Sequence, residues 1–586
     1  MKKTLTKVLA LLMLAALMVG CFAGCVVEDD SSDTYATKEH QMITDKPVIN
    51  EPVEISVLTT RHSGYTTDAD QLWYFHYLEW WFEQEGYDVT FNVQQTTDGN
   101  TQTSLLLNTN SLPDLVFGLD LSTSNVVKYG IEDTLVLDWA PYLNESLMPN
   151  LYARMKADKA MADACYAPDG GLYGLPYINP SLTASGCYGT SERMYFRQSW
   201  LDAVGMKNPT TKDELLAVLR AFKDIDPAKV GLKSSSDVIP IVSSSNFLEK
   251  YLWTCLGFYG TEPSKYGNNL MIKDGKLVIP AYTESYREFV TLMNTFYKEG
   301  IIAQDYFSYS DASAKALAVA DRCGVYCWWT MEALTEDYMD YVSANPIPLG
   351  DVEKVEDIHV SRLSWYTVNK AWASSTTKYP ELLAMMMDKM YSDEGAFTYR
   401  YGPEKGKDPL NMVEGYYFDE KGNVMTEKVA NGTYVGIELY GRDWLFPCDN
   451  VGLRPAVKTS GTGENVPYVD SVTGETYTVF SAQAITDDNI DGHWRLTTIE
   501  HWSDRATSIR LPKDYMSSDD AAEASDIASA FGTLISTETV KFITGQRPLS
   551  EIEDFWKELE SLEIERYLEL KNESLGDWLA ATYGTK

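Results

Sequence analysis

The sequence predicts an α/β fold arranged as two large lobes, and two observations lead to this prediction. Between residues 54 and 117, stretches with strand character alternate with stretches whose apolar residues recur at helical spacing. This pattern is typical of a mainly parallel sheet covered by helices. About 535 residues follow the polar N-terminal region, which is too long for one hydrophobic core and long enough for two.

The elements of the first lobe follow from local pattern. Alternating apolar residues predict strands at 54–60 and 87–95, and the short apolar run 113–117 predicts a third, buried strand. Apolar residues at helical spacing predict helices at 71–86, where a glycine ends the helix, and at 101–110. Strands and helices therefore alternate through this part of the chain.

Later segments repeat the same two patterns. A helix is predicted at 212–222, with Thr210 or Thr211 as its N-cap and Glu214 placed for a capping box if Thr211 is the cap. The other predicted strands lie at 194–197, 321–330 and 364–369, and the other predicted helices lie at 282–300, from Pro380 onward, and at 541–568.

The N-terminus has the features of an export signal. Lys2, Lys3 and Lys7 form a basic region, and the uncharged apolar run 8–20 that follows is 13 residues long. A membrane-spanning helix needs about 20 apolar residues. A cleaved signal peptide is therefore the better interpretation, and no other stretch of the sequence is apolar enough to span a membrane.

Two cysteines follow this run, each after a small residue, and both resemble the bacterial lipobox cysteine that carries a lipid anchor. Ala23 and Gly24 are the more typical preceding pair, so Cys25 is the predicted lipidation site and Cys21 the alternative. A plain secretory signal with incidental cysteines is the other interpretation. The predicted organisation is a signal peptide at 1–24, a flexible tether at 25–51, a first lobe at 52–178, a second lobe at 179–360, a return to the first lobe at 361–400, and a C-terminal helical region of both lobes at 401–586.

The composition excludes several kinds of partner and cofactor. The formal charge of −36 argues against binding nucleic acid or a flat anionic membrane, and it disfavours polyanionic ligands unless the site holds a local basic pocket. On one strand, Cys323 and Cys327 would lie roughly 13 Å apart, too far for a disulfide. Buried free thiols without a zinc cluster are therefore predicted for Cys165, Cys187, Cys255, Cys323, Cys327 and Cys448.

Seven segments occur together in an order that resembles a known family. They are LPDLVFG (112–118), GLYGLPY (171–177), YFRQSWLDAVGMKNPTTKDELLAVLRAFKDIDP (195–227), FYKEGIIAQDYF (296–307), the Gly-x-x-x-Trp strand (324–328), YPELLAMMMDKMYSDEG (379–395) and KFITGQRPLSEIEDFWKEL (541–559). The sequence resembles extracellular solute-binding protein family 1, and within it the large lipoproteins of aldouronate-type and other oligosaccharide importers.

This resemblance implies a two-lobed fold like that of periplasmic binding proteins, in which a hinge lets the lobes close on a ligand in the cleft. It implies the substrate-binding lipoprotein of an ABC importer, held at the outer face of the cell membrane. Such a protein is expected to be a monomer that captures an oligosaccharide and delivers it, unaltered, to the permease subunits.

No cofactor is predicted, and calcium is disfavoured at two candidate loops. The resemblance suggests an oxygen-rich calcium loop at 226–233, but two lysines stand where ligands would be needed. A second segment begins like an EF-hand at Asp487, but it has Arg495 at the ninth position and Thr498 at the twelfth, where a bidentate Glu belongs.

The ligand is expected beyond the carboxyl ends of the strands. Sugars present apolar CH faces and a rim of hydroxyl groups, which aromatic rings and Asp, Asn and Arg side chains complement. Each residue chosen below could instead pack in the core or form a surface ion pair. Trp80, Trp81 and Trp200 are predicted to lie in the core. The residues predicted to bind ligand are Arg61, Tyr65, Asp120, Tyr177, Asn179, Trp328, Trp329, Arg362, Trp365, Arg442 and Trp444.

A secreted glycan-active enzyme is the rival class, since paired carboxylates could hydrolyse a glycan. The 85 acidic residues make such pairs unavoidable, so their presence decides nothing. The sequence has no nucleophile elbow, zinc-protease, P-loop or dinucleotide motif, and no enzyme is predicted. A peptide or another small polar solute is the alternative ligand, and a sensor or adhesin that feeds no transporter stays open.

Overall fold

The computed structural model describes residues 37–61, 68, 71–179, 194–244, 246–328, 331, 340–361, 366–412, 416–418, 424–426, 451–453, 465–469, 476–480, 497–498, 500–507 and 509–584. Every described strand and helix lies within the unit Lys38–Lys586.

Eighteen strands lie in the described part of the chain, and most are short. They are β1 (Val53–Thr60), β2 (Val89–Thr96), β3 (Leu115–Phe117), β4 (Leu175–Ile178), β5 (Met194–Arg197), β6 (Ile239–Ser243), β7 (Met271–Lys273), β8 (Lys276–Val278), β9 (Cys323–Cys327), β10 (Tyr341–Ser343), β11 (Val360–Ser361), β12 (Tyr366–Ala373), β13 (Tyr416–Phe418), β14 (Val424–Thr426), β15 (Gly452–Leu453), β16 (Asn465–Val469), β17 (Thr476–Phe480) and β18 (Ala506–Thr507).

The longer described helices cover these sheets, and a π-helical segment, Val126–Glu132, lies between two of them. No described helix is both long and apolar enough to cross a membrane. The helices are α1 (Trp73–Glu85), α2 (Gly99–Thr109), α3 (Pro149–Ala157), α4 (Lys159–Cys165), α5 (Gln198–Val204), α6 (Lys212–Lys223), α7 (Phe247–Cys255), α8 (Glu284–Lys298), α9 (Asp311–Val319), α10 (Pro380–Lys389), α11 (Asp393–Tyr401), α12 (Ser518–Thr544), α13 (Ile552–Glu560) and α14 (Ile564–Tyr583).

Lobe I is built on a six-stranded sheet of order β15-β4-β12-β3-β1-β2. Strands β1, β2 and β3 are parallel to one another, as the alternating pattern predicts. The whole sheet is mixed, however, because the returning strand β12 enters between β3 and β4 and runs antiparallel to both. Its core includes the fully buried rings of Trp73 and Trp139.

A bulge interrupts β12 where it passes the end of β3. The pairing with β4 shifts register between Thr367 and Ala371, and Asn369 within the bulge has a φ of 59°. Gly174 makes room for it, because a Cβ there would lie 2.6 Å from the Cα of Asn369. The bulge bends the strand and redirects its side chains.

Lobe II is built on a four-stranded sheet of order β10-β5-β9-β6. Strand β9 is parallel to β6 and antiparallel to β5, which is antiparallel to β10. The C-terminal helices pack on the same core, α12 through Phe531, α13 through Phe555 and α14 through Leu570. Trp200 lies in this core as predicted, whereas Trp80 and Trp81 are only half-buried against the core of lobe I.

Two helix predictions differ from the structure. Thr211 caps α6 by accepting from the backbone N–H of Glu214 (3.2 Å), and the carboxylate of Glu214 interacts with the backbone of Thr211 and also accepts from the backbone N–H of Thr210 (2.8 Å), so the capping box extends one residue further than predicted. The predicted helical region 541–568 covers parts of three helices. It includes the end of α12, which begins at Ser518, the whole of α13, and the start of α14, with breaks that begin at Gly545 and Ser561.

The described cysteines, Cys165, Cys255, Cys323 and Cys327, are buried and form no disulfide bond with one another. Burial raises the pKa of the Cys165 thiol to about 12, so it is protonated at neutral pH. The other two cysteines of this set, Cys187 and Cys448, lie outside the described residues. The boundaries between domains stay a prediction.

Candidate functional site

Five strands of the lobe I sheet end at the same edge, since β2 is parallel to β1 and β15 is parallel to β4. Strands β1 and β3 are parallel, and β3 and β4 both run antiparallel to β12, so β1, β3 and β4 end at the same edge. Strand β12 begins there, with Tyr366 opposite Ile178 at the end of β4. Loops at such an edge form ligand sites in open α/β sheets.

The lobe II sheet has a corresponding edge. Strands β6, β9 and β10 end there, and β5 begins there, with Met194 opposite Cys327. The loops that follow β6 and β9 therefore lie side by side.

Three passages of the chain join the two lobes at these edges. The passage 178–194 runs from the end of β4 to the start of β5, and the passage 453–497 runs from the end of β15 to Thr497, whose hydroxyl accepts from the backbone N–H of Ser343 (2.9 Å). The passage 361–366 has only five steps, so its ends are at most about 18 Å apart. The two edges are therefore the ends at which the lobes are connected, and a hinged protein encloses its ligand at such ends.

Trp328 lies directly after β9, at the lobe II edge. Its half-buried ring packs edge-on against Phe247 at the start of α7, with the ring centroids 5.8 Å apart. This contact holds the indole in place while part of the ring stays accessible, which suits stacking on a sugar. Trp328 therefore lies at the lobe II edge, and its contact with a ligand stays a prediction.

Tyr177 and Asn179 also lie at the lobe I edge, but both are deeply buried. Tyr177 is 8% exposed within β4, between Thr367 of β12 and Gly452 of β15. Asn179 follows the strand and is 5% exposed. Burial in the sheet favours the packing role for Tyr177, and ligand contact by either residue stays a prediction.

Arg61 and Asp120 follow β1 and β3 at the same edge, and each has a charged neighbour. The guanidinium of Arg61 lies 3.9 Å from the carboxylate of Asp68. The exposed carboxylate of Asp120 forms an ion pair with Lys370, which belongs to the β12 bulge. The bulge thus brings Lys370 to the edge where Asp120 lies. Arg61 and Asp120 both remain accessible to a ligand at this edge.

The remaining predicted residues lie outside the described part of the chain. They are the ligand candidates Tyr65, Trp329, Arg362, Trp365, Arg442 and Trp444, the lipidation candidates Cys21 and Cys25, and residues 487–495 of the second calcium candidate.

Residues 509–516, here called the bridging segment, contact both lobes, a feature that sequence analysis missed. On lobe II, the backbone N–H of Leu511 donates to the carbonyl of Gly260 (2.8 Å). Asp514 forms an ion pair with Lys571 of α14 (2.5 Å). These contacts fasten the segment to lobe II.

The same segment contacts lobe I through Tyr515. Its ring packs against the cluster that contains Trp372, and its hydroxyl interacts with Asn369 of the bulge. Burial raises the pKa of Tyr515 to about 12. The signal in the sequence is the run Arg-Leu-Pro-Lys-Asp-Tyr, which concentrates basic and aromatic residues within an acidic chain.

The described residues hold no group of three or more His, Cys, Asp or Glu side chains placed to bind a metal ion. Asp226, the first residue of one calcium candidate, accepts a hydrogen bond from the backbone N–H of Ala228 (3.1 Å) and caps the turn Pro227–Val230. Its carboxylate therefore has a structural role in that loop.

Comparison with known proteins identifies related sequences. No protein-family model matches the chain. The fructooligosaccharide ABC transporter substrate-binding protein FusA of Streptococcus pneumoniae is 24% identical over 460 residues, which are 75% of this chain and 78% of that protein. The polygalacturonan/rhamnogalacturonan-binding protein YtcQ of Bacillus subtilis is 23% identical over 246 residues, which are 42% of this chain and 44% of that protein.

Solved structures have the same fold. FusA in complex with kestose matches with a TM-score of 0.69 and 20% identity, covering 90% of this chain and 100% of that one. An HMO-binding solute-binding protein from Bifidobacterium longum infantis matches with a TM-score of 0.66 and 16% identity, covering 92% and 100%. These matches confirm the predicted two-lobed α/β fold. The chain is therefore similar to the substrate-binding proteins of ABC transporters, and this similarity agrees with its resemblance to extracellular solute-binding protein family 1.

Proposed function

We propose that this protein is the monomeric substrate-binding component of an ABC importer, which captures an oligosaccharide between its lobes and releases it unaltered to membrane permeases. The observation that carries the proposal is the pair of strand edges at which three chain passages join the two lobes. Lobes hinged in this way can close on a guest from both sides. Kestose in FusA supports a sugar as the guest. The proposal includes no cofactor.

Calorimetric titration of the chain from residue 26 onward tests this proposal. A panel of neutral and acidic oligosaccharides, monosaccharides and short peptides is titrated, and each guest is then recovered and analysed by chromatography. We expect one oligosaccharide per chain to bind and to be recovered intact. Cleavage of the guest would identify an enzyme, and binding of peptides alone would assign the alternative ligand class.

Trp328→Ala is expected to weaken binding of the oligosaccharide that the panel identifies. Loss of a stacking ring costs about 1–2 kcal/mol, or roughly 5–30-fold in Kd. The same titration measures this change, and quenching of tryptophan fluorescence by the guest should decrease in the variant.

Trp80→Ala is the matched control for that substitution. Trp80 is also a half-buried tryptophan, but it lies in the second half of α1, which leads from the carboxyl end of β1 back toward the amino end of β2. Its removal should leave Kd within about twofold. Equal binding by wild type and folded Trp328→Ala would exclude Trp328 from the site.

We propose that a lipid on Cys25 holds the protein at the outer face of the membrane. Metabolic labelling with an alkyne fatty acid, followed by cell fractionation, tests this in the producing bacterium. Cys25→Ala should lose both label and membrane retention, while Cys21→Ala keeps both. The reverse result would assign Cys21, and retention in the double variant would contradict the anchor.

A further inference from the structure

Residues 38–49, here called the N-terminal strap, lie against lobe I although they form no helix or strand. The backbone N–H of Lys38 donates to the carbonyl of Asp169 (2.8 Å), and the backbone N–H of Ile43 donates to the carbonyl of Pro141 (2.9 Å). Both acceptors lie much later in the chain. The strap is therefore ordered by tertiary contacts with lobe I and not by a local helix or sheet.

The last part of the strap lies beside the end of α1. The hydroxyl of Tyr87 donates to the carbonyl of Pro47 (3.0 Å), and the ammonium group of Lys46 pairs with the carboxylate of Glu85 (3.0 Å). The chain then enters β1, whose amino end lies opposite the edge at which the lobes are connected. This part of the strap is therefore fastened to lobe I on the side away from the connections between the lobes.

The first residue of the strap provides a counter-ion for a buried acid. Asp169 is 1% exposed, and its carboxylate accepts from the backbone N–H of Gly171 (3.0 Å) and from the hydroxyl of Tyr173 (2.6 Å). In the described part of the chain, Lys38 is the only basic residue within ion-pair distance of this carboxylate (3.0 Å). A buried carboxylate without a cation is costly, so this pair favours the fastened strap.

Apolar side chains of the strap also contact the lobe. Ile43 and Ile49 are half-buried and pack against the core of lobe I, whereas Val48 is 90% exposed. The imidazole of His40 lies 2.8 Å from the carboxylate of Asp138. Apolar burial and ion pairs together offset the conformational entropy that a free chain would keep. The N-terminal strap is therefore built into the fold of lobe I.

This arrangement shortens the chain that could separate lobe I from a lipid on Cys25. From Cys25 to Lys38 the chain reaches at most about 47 Å, whereas from Cys25 to Val53 it reaches at most about 100 Å. Fastening the strap therefore halves the greatest distance between such a lipid and the body of lobe I. A shorter reach raises the effective concentration of an anchored protein near its membrane partners.

We propose that the N-terminal strap holds the lipid-anchored protein close to the membrane, and that the pair between Lys38 and Asp169 is its first fastening point. The proposal rests on the proposed lipid at Cys25. It goes beyond that proposal because it gives a role to residues that the sequence predicts to be part of a flexible tether. Release of the strap would double the reach of the anchored protein.

Trypsin reports whether the strap is fastened in the chain from residue 26 onward. Lys38 is the first basic residue of that chain, and the bond after Lys46 resists trypsin because Pro47 follows. Cleavage after Lys38 requires the strap to leave the surface, so the rate follows the population of the released strap. Mass spectrometry of the fragment 26–38 measures this rate, and a free peptide of residues 26–52 gives the rate without lobe I.

We expect wild type to be cleaved after Lys38 at least about tenfold more slowly than the free peptide. Ile43→Ser removes apolar contact with lobe I and should speed cleavage about fivefold or more. Val48→Ser is the matched control, since it changes an exposed β-branched residue of the same strap and should stay within about twofold. Asp169→Asn presents an NH₂ group to Lys38 in place of a carboxylate oxygen, and it should also speed cleavage.

The variants on the strap keep the test valid if Asp169→Asn disturbs lobe I, because Ile43 and Val48 lie outside the sheet and helices of that lobe. Equal rates for wild type and the free peptide, or equal rates for Ile43→Ser and Val48→Ser, would overturn the proposal. These rates need neither an oligosaccharide nor a lipid. Failure of the proposed function is therefore seen separately, in the calorimetric titration.

Neutron reflectometry of the lipidated protein on a supported bilayer tests the reach itself. Wild type is compared with a variant in which residues 38–49 are replaced by Gly and Ser residues in equal number, which keeps the chain length and removes the contacts with lobe I. We expect the protein layer of the variant to lie farther from the bilayer. Equal distances would overturn the proposal, whereas absence of the alkyne label at Cys25 would contradict the anchor on which it rests.

Discussion

Replacing Trp200 with alanine is expected to lower the free energy of unfolding of lobe II by about 3–5 kcal/mol. Trp200 is 1% exposed, and its ring meets that of Phe222 edge-on, with the centroids 5.5 Å apart. Strand β9 closes the space at Gly324, where a Cβ would lie 2.6 Å from the ring of Trp200 and 2.4 Å from that of Phe222. Alanine would leave a cavity that these fixed groups cannot fill.

Urea unfolding, followed through hydrogen exchange of the amide groups of β5 and β9, measures this loss. A local probe is needed because lobes with separate cores need not unfold together. Trp200→Phe is the matched control, and because it keeps one ring we expect it to lose only about 1–2 kcal/mol. A loss below about 1 kcal/mol for the alanine variant would contradict the packing described for this core.

Local patterns were sufficient to predict elements whose boundaries depend on nearby residues. The predicted strand 194–197 is β5, and the predicted helix 212–222 is α6, capped by Thr211 as its polar side chain suggests. Periodicity and capping act over a few residues, so one sequence displays them.

Features that depend on distant contacts were not predicted. The strand expected at 364–369 is β12, Tyr366–Ala373, and its bulge at Asn369 relies on Gly174, far away in the chain. The first part of α12 was missed because residues 518–540 are rich in small and polar residues, so their apolar period is weak.

The same distinction applies to the candidate site. The position of Trp328 at a sheet edge could be predicted because the residue directly follows a recognisable strand, whereas its contact with a ligand stays a prediction. The bridging segment has no helical or strand period, and its importance comes from contacts with Gly260 and with the cluster around Trp372. The bridging segment is therefore identified only when both lobes are seen together.

Replacing Asp388 with alanine is expected to lower the free energy of unfolding of lobe I by about 2–4 kcal/mol at pH 7.5. Asp388 of α10 is 5% exposed, and its carboxylate accepts from the backbone N–H groups of Asn150 (3.2 Å) and Leu151 (2.9 Å) and from the side-chain amide of Asn150 (2.7 Å). These N–H groups open α3, which has no capping side chain of its own. Alanine would leave them without an acceptor.

Asp163→Ala is the control for this substitution. Asp163 on α4 is an exposed carboxylate that pairs with Lys159 (2.7 Å) one turn earlier, and such surface pairs contribute about 0.5 kcal/mol or less. Urea unfolding of both variants, followed through hydrogen exchange of the amide groups of α3, should give clearly different losses in the free energy of unfolding. If Asp388→Ala loses no more free energy of unfolding than Asp163→Ala, the carboxylate of Asp388 does not stabilise α3.

The loss at Asp388 is also expected to depend on pH. Burial raises the pKa of Asp388 from 3.8 to about 6, although the hydrogen bonds from Leu151 and Asn150 lower it. Between these values the folded state holds a proton that the unfolded state has released, so the contribution of Asp388 to stability falls as pH rises through the window, by about 3 kcal/mol at most. The alanine variant lacks the Asp388 carboxyl group, and therefore its pH dependence, while the other titrating groups stay in place. The free energies of unfolding of wild type and Asp388→Ala should therefore differ more at pH 4.5 than at pH 7.5. A difference that is constant, or smaller at pH 4.5, would contradict burial as the dominant effect on the pKa of Asp388.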